Sequence, residues 1–211
     1  MTEPIDPLVD ALQRLRAEDV AGATALLASI LENEPRNAPA LTLMGICLLK
    51  ADDADGAIDV LKQAMDVAPS DTVVRTNFAV ALRTRGEHRL ENGRAEIARG
   101  DFLAALDVAP DDGRALFGLA QAEQELGHYE DAVEVYDAYL GADPDSADAY
   151  LYRGYCLQEL RRLDDALDAY RRAVALDRSL YADVLKSLTT SSHGCLWLKP
   201  SDLKREFGLT S

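Results

Sequence analysis

The order of apolar and polar residues follows the helical period through most of the 211-residue chain. Over residues 38–71, Leu41, Met44, Gly45 and Leu48 recur at the spacing that gathers one face of a helix. A second helix is predicted over DGAIDVLKQAMDVAP, with Ala57, Leu61 and Ala64 on its inner face. Small Gly45, Ala57 and Ala64 let two antiparallel helices approach closely, and Pro69 stops the second because proline cannot continue a helix. The segment reads as a helical hairpin. A single hairpin leaves apolar faces uncovered, so it must stack on others of its kind.

The chain supplies those others. Pro35 and Pro69 stand 34 residues apart, as do Pro110 and Pro144, while the interval from Pro69 to Pro110 is 41. The spacing predicts five units over residues 4–37, 38–71, 72–112, 113–146 and 147–180. In the first, the apolar set Leu8, Ala11, Leu12 and Leu15 reads as one residue out of register with the helix over 23–31, as in a terminal unit with a shortened turn. The third carries seven extra residues, assigned to RTRGEHRLENGRAEIARG and split between its helices as about one turn each. The expected fold is all-α, a right-handed α-solenoid of stacked antiparallel helical hairpins.

The fourth unit places Leu116, Leu119, Ala120, Ala132, Tyr136 and Pro144, and the fifth Tyr150, Gly154, Leu157, Ala166 and Tyr170, on the pattern W-x2-L-G-x2-Y, A-x3-F, P. On these residues the chain resembles the tetratricopeptide repeat. Glu123 and Arg153 depart from the pattern, standing where it calls for Tyr and Leu. An unpaired buried charge is costly, so the two are expected to meet.

The resemblance implies that the first helix of each unit lines a groove. The helix face beside the core selects Thr42, Leu43, Ile46 and Leu49 in the second unit, and Thr76, Asn77, Val80 and Arg83 in the third. It selects Phe117, Gln121 and Gln124 in the fourth, and Leu151, Tyr152, Tyr155 and Gln158 in the fifth. Members of the family that capture chaperone C-termini hold the terminal carboxylate with two Lys, two Asn and an Arg; here Thr42, Ile46 and Gly118 replace three of these, with only Asn77 and Arg114 fitting. Carboxylate capture is therefore not expected. An apolar, amide-rich groove with aromatic rungs suits an amphipathic helix or an apolar extended segment.

Charge and chemistry narrow the reading further. A net charge of −15 disfavours nucleic acid, whose phosphates need clustered Lys and Arg. The apolar stretch over 41–49 is far short of the roughly 20 residues that cross a bilayer, and the N-terminus has no signal-peptide pattern. No membrane insertion and a cytoplasmic location are expected. His88, His128 and His193 have no evident catalytic partner, and Cys47, Cys156 and Cys195 form no CxxC pair. No enzyme activity, cofactor or metal is expected.

These features predict a non-enzymatic adaptor or chaperone-like protein that binds a protein or peptide. The alternative is a scaffold that forms homo-oligomers through its end repeats or an arginine-rich hairpin, with Arg85, Arg89 and Trp197 as secondary contacts. Beyond the array, Tyr181, Val184, Leu185 and Leu188 predict a capping helix over 181–189 with Asp183, Lys186 and Ser187 facing outward. In the tail, 190–211, PSDLKREFG predicts a short helix, and Leu196, Trp197 and Leu198 are expected to pack on the cap.

Overall fold

Short polar turns divide the chain into helices of nearly constant length. The computed structural model describes residues 6–190 and Phe207. Its described helices are α1 (Pro7–Arg16), α2 (Val20–Asn33), α3 (Ala38–Lys50), α4 (Ala54–Val67), α5 (Thr72–Glu91) and α6 (Ala95–Val108). These are followed by α7 (Gly113–Glu125), α8 (Tyr129–Ala142), α9 (Ala147–Glu159), α10 (Leu163–Leu176), a 3₁₀ turn (Arg178–Leu180) and α11 (Tyr181–Thr190). No described residue is in a strand. The fold is an all-α solenoid of paired helices, in two compact units, Met1–Asp112 and Gly113–Ser211.

Each hairpin is made the same way. Its turn passes through one residue in the left-handed region: Glu18, Asp52, Gly93, Gly127 or Arg161, with φ of 60°, 63°, 70°, 78° and 58°. Two of the helices that follow these turns, α2 and α4, start on a carboxylate that accepts a backbone N–H bond, Asp19 from Gly22 and Asp53 from Gly56, each at 2.9 Å. Seven residues before the turn, a small residue lets the second helix approach. A Cβ on Gly45 would collide with Leu61, and one on Gly154 with Tyr170. Ala11 with Leu27, Gly86 with Phe102, and Ala120 with Tyr136 repeat the same separation of 16 residues.

That repetition corrects two expectations. In the first hairpin Ala11 and Leu27 are both fully buried, and Glu18 lies 34 residues before Asp52. The hairpin keeps the common register and turn, and it is α1 that is short, at 10 residues. In the third hairpin α5 has 20 residues against 13 in α3, α7 and α9, whereas α6 has the 14 of α4, α8 and α10. All seven extra residues therefore belong to α5. Because Gly86, Gly93 and Phe102 keep the common spacing, the addition is residues 72–78, two turns at the helix start. There Val74 is buried with Leu41 and Ala64 of the preceding hairpin. The hairpin tip is no taller than the others.

The first unit has a core of small and aliphatic side chains, among them Ala11, Leu15, Ala23, Leu27 and Cys47. The core of the second is aromatic as well as aliphatic, with Tyr136, Leu157, Tyr170, Val174 and Val184 sealed from solvent. α11 packs on the last hairpin, burying Val184 and Leu188 and half-burying Tyr181 and Leu185. Phe207 is also buried there, edge-on to Tyr181 with ring centres 5.6 Å apart.

Candidate functional site

In the first unit Leu43 and Ile46 are half-buried on α3 and pack against the Ala11–Leu27 cluster. The corrected register removes Asn77 and Val80 from the equivalent place on α5. The residues 41 positions after Leu43, Ile46 and Leu49 are Thr84, Glu87 and Leu90, all half-buried. Asn77 instead lies in the added turns, where its amide donates to the Val73 carbonyl at 2.8 Å. Arg83, the counterpart of buried Thr42, is itself buried. Its guanidinium donates to Asp112 at 3.2 Å and to Glu87 at 2.7 Å. It is therefore part of the interior and not of a binding face.

Arg85 and Arg89 are likewise engaged within the unit. The buried Asp101 carboxylate accepts from Arg85 at 2.7 Å and from Arg89 at 2.7 Å, and Arg85 also reaches Asp55 of the preceding hairpin at 3.0 Å. Charge-assisted bonds of this geometry are the stronger kind. The histidine of this segment has a partner as well, His88 to Asp52 at 3.2 Å.

In the second unit the selected aromatic residues come together. Phe117 on α7 meets Tyr136, Tyr139 and Tyr152 edge-on, with ring centres 5.8, 5.3 and 5.9 Å away. Tyr152 stacks on Tyr136 at 6.4 Å and meets Tyr155 at 5.8 Å, and Tyr155 meets Tyr170 at 5.9 Å. Each such pair contributes about 0.5–1.5 kcal/mol beyond area burial. Phe117, Gln121, Gln124, Tyr152 and Tyr155 are half-buried, so one side of the network remains at the surface.

Two selected residues lie beneath that surface. Leu151 is in the core. Gln158, 1% exposed, joins three helices: its Oε1 accepts from the Tyr170 hydroxyl at 2.7 Å and the Ser187 hydroxyl at 3.1 Å, while its Nε2 donates to the Ser187 carbonyl at 3.1 Å. Ser187 thus points into this junction and not outward. One repeat earlier the Tyr136 hydroxyl donates to Gln124 at 3.1 Å. Burial pushes the Tyr136 and Tyr170 phenols well above the ordinary range. Burial, followed by the charge of Asp183, pushes Tyr155 up to about 12.

Glu123 and Arg153 do not pair. Buried Glu123 lies 2.8 Å from Nδ1 of His128, the residue before α8, and Arg153 reaches Asp137 at 2.6 Å. Each finds a partner closer at hand, across one hairpin turn or on the adjacent helix. Asp131 brings a third potential ligand atom within 4.8 Å of those of Glu123 and His128, the one such group among the described residues. Only Glu123 of the three is buried. Cys47 and Cys156 are free and buried, with burial pushing the Cys156 thiol up to about 12, which suppresses the reactive thiolate. Leu196, Trp197 and Leu198 lie outside the described residues. No described helix is long and apolar enough to cross a membrane.

Known proteins share both sequence and fold with this chain. DnaJ homolog subfamily C member 7 of Homo sapiens is 29% identical over 159 residues, which are 74% of this chain but 26% of that protein. A probable UDP-N-acetylglucosamine–peptide N-acetylglucosaminyltransferase SPINDLY of Hordeum vulgare is 29% identical over 164 residues, 76% of this chain and 17% of that one. The chain thus spans about a quarter or less of these relatives. A crystal structure of MamA superposes with a TM-score of 0.64 at 17% identity, covering 83% of this chain and 92% of that one. YrrB, described as a TPR protein with an unusual peptide-binding site, gives 0.64 at 17%, covering 85% and 91%. Family models described as tetratricopeptide repeat match residues 14–86, 83–146 and 120–180. With matches running from residue 14 to residue 180, and with the small-to-large pairing repeated in every hairpin, the chain belongs to the tetratricopeptide repeat superfamily.

Proposed function

We propose that this protein is a non-enzymatic adaptor or chaperone-like protein, which takes up a peptide or amphipathic segment of a protein partner on its first-helix faces. The observation that carries the reading is the half-buried aromatic surface of Phe117, Tyr152 and Tyr155, flanked by Gln121 and Gln124. Rigid aromatic rings offer large contact area at low cost in conformational entropy, and the amides can bond to a peptide backbone. In the first unit the first-helix faces offer half-buried Leu43, Ile46, Thr84 and Leu90 in place of rings. The free, buried thiols accord with a reducing compartment such as the cytoplasm. YrrB, with its peptide-binding site, lends the reading an analogy of fold. The scaffold alternative loses its arginine-rich contact, because Arg85 and Arg89 already hold Asp101.

The test is affinity purification with mass spectrometry, comparing the wild type with Phe117→Ala/Tyr155→Ala. Partners captured by the wild type should be lost from the double variant while its far-ultraviolet circular dichroism stays helical. Retention of the same partners by a folded double variant would move the binding surface elsewhere.

A further inference from the structure

Beside the aromatic surface, the second unit contains a cavity of about 400 Å³ whose lining is not explained by packing. Its lining includes two tyrosines, Tyr129, at the start of α8, and Tyr155, on α9. Two carboxylates from different helices also line it, Glu159 of α9 and Asp183 of α11. Gln124 and Ser187 also line it, and both are fixed from behind, by the Tyr136 hydroxyl and by the Tyr170–Gln158 junction. Among the described lining residues the one cation is Lys186, exposed to solvent.

Aromatic faces and carboxylates both favour a positive charge, the first through the ring quadrupole and the second directly. The phenols register that field. Tyr155 is raised first by burial and then by Asp183, and Tyr129 first by burial and then by Glu159. A planar guanidinium can lie along a tyrosine ring while its N–H groups fork to a carboxylate, which an ammonium does less well. We propose that this cavity receives an arginine side chain of the protein partner. The proposal rests on the peptide-binding reading above and adds to it a basic anchor residue. It also gives a use to the net charge of −15, which draws basic segments toward the chain.

Lys186 makes the proposal sharply testable. If the cavity takes a cation, Lys186 competes with it; if it takes a carboxylate, Lys186 holds it. The experiment titrates the ¹⁵N-labelled full chain with N-acetyl-arginine amide, N-acetyl-norleucine amide and N-acetyl-glutamate, following amide shifts at residues 155, 159, 183 and 187. Saturable shifts are expected with the arginine derivative alone. They should weaken at least several-fold in Glu159→Gln/Asp183→Asn and strengthen several-fold in Lys186→Met, with spectra that confirm both variants are folded. Absence of saturation, equal shifts with norleucine amide, a response to glutamate, or weaker binding in Lys186→Met would each overturn the proposal. Shifts that change with protein concentration and no added probe would assign the cavity to a second copy instead, and would also overturn it. A failure here leaves the capture experiment free to succeed, because Phe117 and Tyr152 of the aromatic surface lie outside the cavity lining and can contact a partner without it.

Discussion

The two units of the chain build the same hairpin from different materials. All eight tyrosines lie after residue 112, in the second unit. There the second helix inserts Tyr136 or Tyr170 against Ala120 or Gly154, and each hydroxyl is bonded to a glutamine of the first helix. The first unit has Leu27, Leu61 and Phe102 in the same places, none of which carries a polar atom. Its buried charges are held in ion pairs: Arg85 and Arg89 on Asp101, and Arg83 on Glu87 and Asp112. Backbone spacing is thus indifferent to side-chain chemistry at these positions, but surface chemistry is not. The half-buried arginines of the first unit are bound to its own carboxylates, whereas the tyrosine clusters of the second leave half-buried rings at the surface.

Alkaline pH should separate the units most strongly. A phenol raised in the folded state contributes stability that is complete below its unfolded value of about 10 and is lost as pH rises through the folded value. For Tyr155 that window runs from about 10 to about 12, and Tyr136 and Tyr170 are raised as well. Tyrosinate absorbance should therefore rise cooperatively with loss of the Val184 and Leu157 methyl resonances, while Leu27 and Leu61 persist longer. Simultaneous loss of all four would show that the difference in composition does not translate into one in stability.

Truncating Tyr170 to Ala removes a fully buried ring and strands Gln158, and should cost about 3–5 kcal/mol in urea unfolding. Tyr170→Phe isolates the hydroxyl and should cost about 1–2 kcal/mol. In the first unit the matching lesion is Asp101→Ala, which leaves two half-buried guanidinium groups without their shared carboxylate. It should cost about 2–4 kcal/mol. Asp101→Ala/Arg85→Met should recover part of that loss; no recovery would mean that the network contributes through packing alone.

The smallest effects concern the turns. Gly93 and Arg161 occupy equivalent left-handed turn positions, one in each unit, and neither conformation is comfortable for a residue with a Cβ. Gly93→Ala should destabilise, and Arg161→Gly stabilise, by about 1 kcal/mol each, measured as shifts of the urea midpoint.

Much of this architecture is legible in the sequence because proline and small residues have positional meaning. The 34-residue spacing gives the hairpins, and the Gly45–Leu61 and Gly154–Tyr170 pairs give their contact. Prolines, however, mark only where second helices end, so they cannot say where between Pro69 and Pro110 seven residues were added. Aligning Gly86 and Phe102 with Gly45 and Leu61 would have located the addition, and with it the residues facing a ligand on α5. The expected Glu123–Arg153 contact failed for another reason: long polar side chains choose among several neighbours, and His128 and Asp137 are nearer. The junction at Gln158 was read as groove because period alone does not distinguish a surface amide from one held by Tyr170 and Ser187.

The lengthened start of α5 also shows which insertions such a chain can survive. At about 100° per residue, seven residues bring a helix round by nearly two whole turns, leaving its faces within roughly 20° of where they began. Val74 on the added turns and Ala81 seven residues later are accordingly both buried. An addition of five would have put the new turns about 140° out of phase with the rest of α5, which could not then have held both Val74 on Leu41 and Ala64 and Arg85 on Asp55 of the preceding hairpin, so drift in the length of this helix is confined to near-integral turns.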